Sequence, residues 1–193
     1  MIGTTYELAD LVAELREVFS SDAPEAERMA QGGEALGRLL GNPAALAAFG
    51  ELPAEPVNYL LHAEPDGGFT VAALVKAPSH GTPVHDHGPS WTLYGVLQGA
   101  ETITRYERVD DGSENDRAEL RVSETIAARA GLVDVVPPGV PHAEKNTSSA
   151  LTTAIIVRSQ PMGTFQQRQY DLAAGTCRLV YGGVPVVSPP NRR

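Results

Sequence analysis

Two histidines placed two residues apart are the first feature of this sequence that could perform chemistry. His85 and His87 lie in the segment Pro83-Val84-His85-Asp86-His87-Gly88. Side chains two residues apart on a strand point to the same face, so both imidazoles would face one ligand while Asp86 faces away. Neutral imidazole binds iron, zinc, copper and nickel. The pair therefore predicts two adjacent ligands for a divalent metal ion.

A third histidine follows a turn much later in the chain. His142 comes shortly after Pro137-Pro138-Gly139, a run that reads as a tight turn between two strands. Proline and glycine pre-set the backbone for a reversal, which would hold His142 at a fixed place just beyond the turn. We predict that His142 completes a three-histidine metal site with His85 and His87.

Short strands must position these histidines. From about residue 57 onward the chain shows strand-like runs separated by turn signals such as Asp66-Gly67-Gly68 and Asp110-Asp111-Gly112. Many short strands divided by turns are typical of an antiparallel sandwich or barrel. The predicted strands cover 57–63, 69–76, 91–98, 100–108, 118–127, 132–136, 150–158, 163–170 and 177–181, with a further strand that carries His142.

The start of the chain predicts helices instead. Thr4 and Glu7 have the spacing of a capping box and precede an apolar stripe at helical intervals. Asp22 and Glu25 repeat that signal, and the second helix is expected to end at Leu40. We expect these helices to pack on the barrel rather than to perform chemistry.

The chain is predicted to be one domain in three parts. A helical segment covers 1–50, and its last piece, 43–49, is short and rich in alanine. The β-barrel covers 51–187, and a flexible tail covers 188–193.

Composition narrows the class of partner. The 193 residues carry a formal net charge of -9, and an acidic surface repels nucleic acid and anionic membranes, so we expect neither as a partner. Cys177 is the one cysteine, which fits a reducing compartment. The sequence shows no secretory signal and no apolar stretch long enough to span a bilayer. We expect a cytoplasmic protein that acts on a small molecule.

The histidine segments resemble the two sequence motifs of the cupins, the double-stranded β-helix family of the jelly-roll type. Every position of the second motif is matched, and the first motif is matched by its histidines and its closing glycine. In the first motif Thr92 takes the place of the usual glutamate, and Ser79 that of the first glycine. The matching residues are Gly131, Pro137, Gly139, His142 and Asn146, and His85, His87 and Gly99.

The resemblance implies a mainly β cupin barrel with N-terminal helices, in which His85, His87 and His142 ligate the metal. Without the glutamate, the ion keeps its full charge and about three open positions if it is octahedral. That arrangement is similar to the cysteine dioxygenase type of thiol dioxygenases. It implies Fe(2+) as the cofactor and O₂ as the co-substrate, while Zn, Ni, Mn and Cu stay open as alternatives.

The expected substrate pocket departs from that family. Ala154, Ile156 and Arg158 stand where thiol dioxygenases carry Ser-x-His-x-Tyr on a late strand. If this face looks into the barrel, Arg158 could bind a substrate carboxylate through its forked guanidinium. Arg168 is a second candidate for that role. The further candidates are Tyr59 and Trp91 for substrate contact, and Tyr94 for a hydroxyl that reaches substrate or oxygen.

The sequence thus predicts a non-haem Fe(2+) dioxygenase that oxidises a small carboxylate-bearing thiol to a sulfinate. Two alternatives stay open. One is a three-histidine oxygenase that acts on a small molecule without a thiol, and the other is a non-catalytic cupin that binds a metal or a small molecule. The oligomeric state is left open as well.

Overall fold

The computed structural model describes residues 6–42, 57–65, 68–182 and 186–187. Two helices precede twelve strands in these ranges. The helices are α1 (Leu8–Ser20) and α2 (Glu25–Leu40). The strands are β1 (Asn58–Ala63), β2 (Thr70–Lys76), β3 (Val84–His85), β4 (Thr92–Gln98), β5 (Ala100–Arg108), β6 (Leu120–Arg129), β7 (Val133–Val136), β8 (His142–Asn146), β9 (Thr152–Arg158), β10 (Gln166–Asp171), β11 (Thr176–Tyr181) and β12 (Val186–Val187).

The strands form two six-stranded sheets in the orders β12-β1-β2-β9-β4-β7 and β11-β10-β3-β8-β5-β6. Eight strands pair antiparallel as β2 with β9, β3 with β8, β4 with β7, and β5 with β6. Strands β2 to β5 thus pair in reverse order with strands β6 to β9 and form one ribbon of strand pairs. This ribbon folds around itself, so that β9 also pairs with β4 and β8 also pairs with β5. This is the jelly-roll topology. The predicted fold class, a mainly β double-stranded β-helix barrel with N-terminal helices, is confirmed.

The central strands of the first sheet are buried on both faces. Leu93 and Val157 belong to an outer core that also contains the apolar residues of the helices. Tyr94 and Ile156, their neighbours along the strands, belong to an inner core together with Ile103 of the second sheet. Side chains alternate across a strand, so one set faces the helices and the other faces the barrel interior.

The two helices lie close against the outside of the first sheet. The buried side chains of α1 recur at helical spacing, and α2 packs on β4 where that strand carries Gly95. A Cβ built at Gly95 would lie 2.8 Å from a methyl of Leu40 and 3.0 Å from one of Leu36. The small residue therefore permits the close approach of helix and strand. Neither described helix is long and apolar enough to cross a membrane.

Element boundaries differ in detail from the predicted ones. The capping box of α1 is formed by Glu7 and Asp10, whereas Thr4 lies outside the described residues. Pro24 rather than Asp22 is the N-cap of α2. The strand at the first motif, β3, ends at His85, so His87 lies beyond it. The predicted alanine-rich piece at 43–49 and the tail at 188–193 lie outside the described residues.

Candidate metal centre

The three histidines predicted as ligands lie together inside the barrel. His85 on β3 stands directly opposite His142 on β8, and His87 follows in the loop after β3. The three ring centroids are 4.7 to 4.9 Å apart, and one nitrogen of each ring lies within 4.8 Å of the others. Residues that are far apart in the chain thus form one compact triangle of nitrogen donors.

Backbone carbonyls orient two of the three imidazoles. The Nδ1 of His85 lies 2.9 Å from the carbonyl oxygen of Pro83, and the Nδ1 of His142 lies 2.9 Å from that of Val140. An Nδ1–H that donates to a carbonyl leaves Nε2 with its lone pair free, which is the usual arrangement in metal sites. The Nε2 of His142 is buried without a hydrogen-bond partner. A divalent ion would satisfy this atom, so the residues fit a metal.

Burial favours the neutral, metal-binding form of two of the imidazoles. Burial lowers the pKa of His85, and burial with the nearby Arg158 charge lowers the pKa of His87 well below its usual value. For His142, burial also acts to lower the pKa, but the adjacent Glu144 carboxylate outweighs it and the pKa is raised. Of the three histidines, His142 is thus the one whose pKa is raised by an acidic neighbour.

Asp86 fixes the segment that carries His85 and His87. Its buried carboxylate accepts hydrogen bonds from the backbone N–H of Gly88 and of Arg168, each at 2.9 Å, and from the Tyr170 hydroxyl at 2.7 Å. Two of these donors belong to β10. The carboxylate therefore connects the segment from His85 to Gly88, which we call the ligand loop, to that neighbouring strand. As predicted from the sequence, Asp86 points away from the histidines.

Gly88 allows the ligand loop and β10 to touch. Its φ is +51°, and a Cβ there would lie 2.2 Å from the carbonyl oxygen of Gln166. No L side chain fits this contact without moving the backbone. The glycine that follows the two histidines therefore has a steric role in placing them.

A cavity of about 380 Å³ is bordered by His85 and His87. Its wall combines apolar and amide side chains with one arginine, and His80 also contributes to it. Among the lining residues are Leu74, Ile156, Met162, Asn58, Gln167, Gln169 and Arg158. The cavity is large enough for a small organic molecule next to the histidines.

Arg158 is the cation of this cavity that has no acidic partner, since Lys76, which also lines it, pairs with Glu101. In the strand register it stands between Thr70 of β2 and Thr92 of β4, and its side chain is 7% exposed. Among the described residues no acidic group forms an ion pair with it, and its Nε is buried without a hydrogen-bond partner. Burial lowers the pKa of Arg158 to about 10, so the guanidinium stays charged at neutral pH. A buried cation of this kind calls for an anionic ligand.

Thr92 and Ser79 show what the departures from the first motif mean in three dimensions. Thr92 is buried with an unpartnered Oγ1, so the place of the usual glutamate holds no anion. Ser79 has a φ of 63°, the left-handed conformation that favours glycine. The backbone thus keeps the shape that the motif's first glycine would give it.

Glu144 is an acidic residue of the site that the sequence reasoning missed. It lines the cavity, is buried, and places Oε1 3.5 Å from the Nε2 of His142. A usable signal was present, because Glu144 follows His142 by two residues and alternation puts both on one face of β8.

Four other predicted site residues do not line the cavity. Tyr59 and Trp91 lie in the outer core between the first sheet and the helices, so the expected substrate contacts are not seen. Arg168 lies on β10 between Gln167 and Gln169, and these two glutamines line the cavity in its place. The hydroxyl of Tyr94 points into a polar cluster that adjoins the cavity through Lys76.

That polar cluster consists of Lys76, Tyr94, Glu101 and Thr152. The Lys76 ammonium lies 2.5 Å from Oε2 of Glu101 and also contacts the Tyr94 hydroxyl. The Tyr94 hydroxyl donates to Oε2 of Glu101 at 2.5 Å, and the Thr152 hydroxyl donates to Oε1 at 2.5 Å. All four side chains are buried, and each bonds to another member of the cluster.

No family model matches the chain. Among solved structures, it is similar to an oxalate oxidase, with 22% identity and a TM-score of 0.39 over 48% of this chain and 42% of that one. The cupin domain of Cnp3 from Schizosaccharomyces pombe gives 14% identity and a TM-score of 0.45 over 57% of this chain and 66% of that one.

A protein with a double-stranded β-helix domain from Klebsiella pneumoniae subsp. pneumoniae gives 13% identity and a TM-score of 0.45, covering 66% of this chain and 95% of that one. Similarity at these levels says nothing about activity or substrate. The functional argument therefore rests on the residues of the site themselves.

Proposed function

We propose that this chain is a metal-dependent dioxygenase that oxidises a small, carboxylate-bearing substrate in the cavity next to the three histidines. One observation carries the proposal: a buried, unpaired Arg158 shares a cavity with His85 and His87, whose imidazoles form with His142 a group of nitrogen donors suited to a metal ion. A cation without a counterion and a set of nitrogen donors in one pocket suit an anionic substrate held beside a metal ion.

His85, His87 and His142 would hold the metal, and Fe(2+) is the ion we propose. Bound Fe(2+) would supply the redox chemistry with O₂ that amino-acid side chains lack, together with positive charge for an anionic substrate. Three protein donors leave room on the ion for further ligands, as in the two-histidine, one-carboxylate oxygenases.

The remaining side chains bind and orient the substrate. Arg158 offers a planar fork of N–H donors, which matches a carboxylate and holds it in one orientation. Ile156, Leu74 and Met162 form an apolar wall that excludes water from the body of the substrate. Gln167 and Gln169 offer amide groups on the opposite side of the cavity, where a second polar group of the substrate could be bound.

A thiol is the substrate class that we propose first, because the first motif is similar to that of thiol dioxygenases. The reaction would be R–SH + O₂ → R–SO₂H, in which both oxygen atoms enter the sulfinate and sulfur is the atom oxidised. A carboxylate-bearing thiol would place its carboxylate on Arg158 and its sulfur near the histidines.

The interior face of β9 favours a second candidate, a substrate without a thiol. Ala154 and Ile156 stand at the family's serine and histidine positions, and both lie in the inner apolar core. They can neither donate nor accept a proton. An oxidation at carbon that does not need such groups would suit this wall better.

The test is oxygen consumption by protein loaded anaerobically with Fe(2+). Cysteine, 3-mercaptopropionate and mercaptosuccinate would be compared with carboxylates of similar size that lack sulfur. Incorporation of both atoms of ¹⁸O₂ into a sulfinate, absent in His142→Ala, would support the thiol version. Turnover of the sulfur-free compounds alone would support the second candidate. Stoichiometric metal binding without any oxygen uptake would favour the non-catalytic alternative.

A further inference from the structure

We infer that Glu144 is the acidic ligand of the metal centre, supplied from β8 instead of from the position that Thr92 occupies on β4. This inference rests on the proposed metal centre, and it changes the ligand set from three neutral donors to three imidazoles and one carboxylate. It also assigns to Glu144 a role that the sequence motifs do not give it.

Position is the first argument. His142 and Glu144 are two residues apart on β8, so their side chains lie side by side on the inner face of the strand. The Oε1 of Glu144 and the Nε2 of His142 are 3.5 Å apart. Two ligands at about 2.1 Å from one ion are about 3.0 to 3.4 Å apart in octahedral or tetrahedral geometry. The observed separation from His142 is close to that of neighbouring ligands, whereas the three histidines alone form the group whose ligand atoms all lie within 4.8 Å of one another, so the Glu144 carboxylate would turn toward His85 and His87 on binding the ion.

The hydrogen bonds of the carboxylate are the second argument. The Thr82 hydroxyl donates to Oε2 of Glu144 at 2.6 Å, and the backbone N–H of Glu144 donates to the same hydroxyl oxygen at 3.0 Å. One carboxylate oxygen is therefore fixed by Thr82, while the other is directed at His142. Metal-ligating carboxylates are typically held in this way by a neighbouring hydrogen-bond donor.

Charge is the third argument. Glu144 is 6% exposed, and among the described residues its ion-pair contacts are limited to His142. Buried carboxylates are paired with a cation or coordinate a metal. Lys76 already has Glu101 as its partner, at 2.5 Å. A divalent ion between the histidines would bring a fixed positive charge to the Glu144 carboxylate, whose ion-pair contact among the described residues is a histidine that is charged only when protonated.

The consequence is a less positive centre with fewer open positions. With Glu144 bound, a divalent ion carries a net charge of about +1, and about two positions stay open if the ion is octahedral. The centre then attracts a substrate anion less strongly, and the substrate carboxylate depends more on Arg158.

Titration with Co²⁺ tests this assignment, because the visible spectrum of Co²⁺ reports its ligands and requires no turnover. Wild type would be compared with Glu144→Gln, which keeps the size of the side chain and an oxygen for Thr82. Glu124→Gln is the control, since Glu124 lies on β6 outside the cavity. We expect the Kd for Co²⁺ to rise by about 10- to 100-fold or more in Glu144→Gln only, with a changed spectrum.

Circular dichroism of the metal-free variants shows whether each of them folds. If Glu144→Gln does not fold, wild-type protein with ¹³C-labelled glutamate is measured by NMR with and without Co²⁺. A ligating glutamate must then give side-chain signals far outside the diamagnetic range. The absence of such signals overturns the inference.

An unchanged Kd, or a weaker Kd with an unchanged spectrum, also overturns the inference and leaves the proposed function intact. If wild type binds no Co²⁺ at all, the metal centre itself is refuted, and the proposed function with it. The two failures are therefore distinguishable within one set of titrations.

Discussion

The barrel interior contains two polar clusters that differ in one respect. In the cluster of Lys76, Tyr94, Glu101 and Thr152, every side chain has a hydrogen-bonding partner within the cluster. Around the histidines, buried atoms of His142, Thr92 and Arg158 have none. Buried polar groups in folded proteins are nearly always satisfied, so a group of such atoms beside a cavity suits the binding of a ligand. The first cluster is satisfied by its own members, whereas the second contains donors and acceptors without a protein partner.

The largest expected effect is the loss of the metal on removal of a ligand. His142→Ala should raise the Kd for a divalent ion by about 10³- to 10⁴-fold, or about 4 to 6 kcal/mol, because one of the imidazole donors is lost. Isothermal titration and metal analysis by mass spectrometry measure this. His62→Ala is the control, since His62 pairs with Glu64 outside the cluster. Equal metal binding in both variants would refute the centre.

Substitutions in the cluster of Lys76, Tyr94, Glu101 and Thr152 should change the stability of the protein rather than its metal binding. Glu101→Leu leaves the Lys76 ammonium buried without a counterion, and we expect it to lower the free energy of unfolding by about 3 to 5 kcal/mol. The double variant Lys76→Met/Glu101→Leu should recover most of that loss. Urea denaturation measures both, and metal content should stay at the wild-type level wherever the protein folds. A double variant as unstable as the single one would contradict this account.

Arg158→Met should separate stability from function. Loss of the charge-assisted hydrogen bonds to a substrate carboxylate, worth about 1.5 to 3 kcal/mol, should raise KM about 10- to 100-fold. The metal-free variant should unfold at a higher temperature, because an unpaired buried charge is removed. Arg168→Met, which alters an arginine that does not line the cavity, should leave KM unchanged. A less stable Arg158→Met would mean that the guanidinium has a structural partner.

The smallest expected effect concerns the support of the ligand loop. Tyr170→Phe removes one of the three hydrogen bonds to Asp86 and should cost about 1 kcal/mol of stability. The other two bonds remain, so we expect the Kd for metal to rise by less than about 10-fold. Thermal unfolding and metal titration measure these changes. Tyr181→Phe on exposed β11 is the control, and a larger loss of metal than in His142→Ala would contradict the ranking.

The histidine cluster was predictable because short-range rules determine it. Spacing and turn chemistry identified His85, His87 and His142, and alternation was sufficient to find Glu144 as well. The cluster of Lys76 and Glu101 was not predictable, because β2 and β5 belong to different sheets. Their side chains come into contact only after the ribbon of strand pairs has folded around itself into the barrel.

The placement of Tyr59 and Trp91 in the outer core was not predicted, for a different reason. The helices cover the outer face of the first sheet, so β4 is buried on both faces and its residues from Thr92 to Leu97 are all buried. A hydrophobic pattern cannot then tell the interior of the barrel from its outside. On β10 the neighbours of Arg168, Gln167 and Gln169, line the cavity, whereas Arg168 itself does not.

The ribbon of paired strands also sets an order for folding. Among the four strand pairs of the ribbon, β5–β6 joins neighbouring segments and β2–β9 joins the most distant ones, and closing a longer loop costs more entropy. We expect pairing to proceed from β5–β6 outward. His85 and His142 then meet at the third of four steps. The ion would enter a barrel that is already largely built, and it could exchange through the cavity without unfolding of the chain.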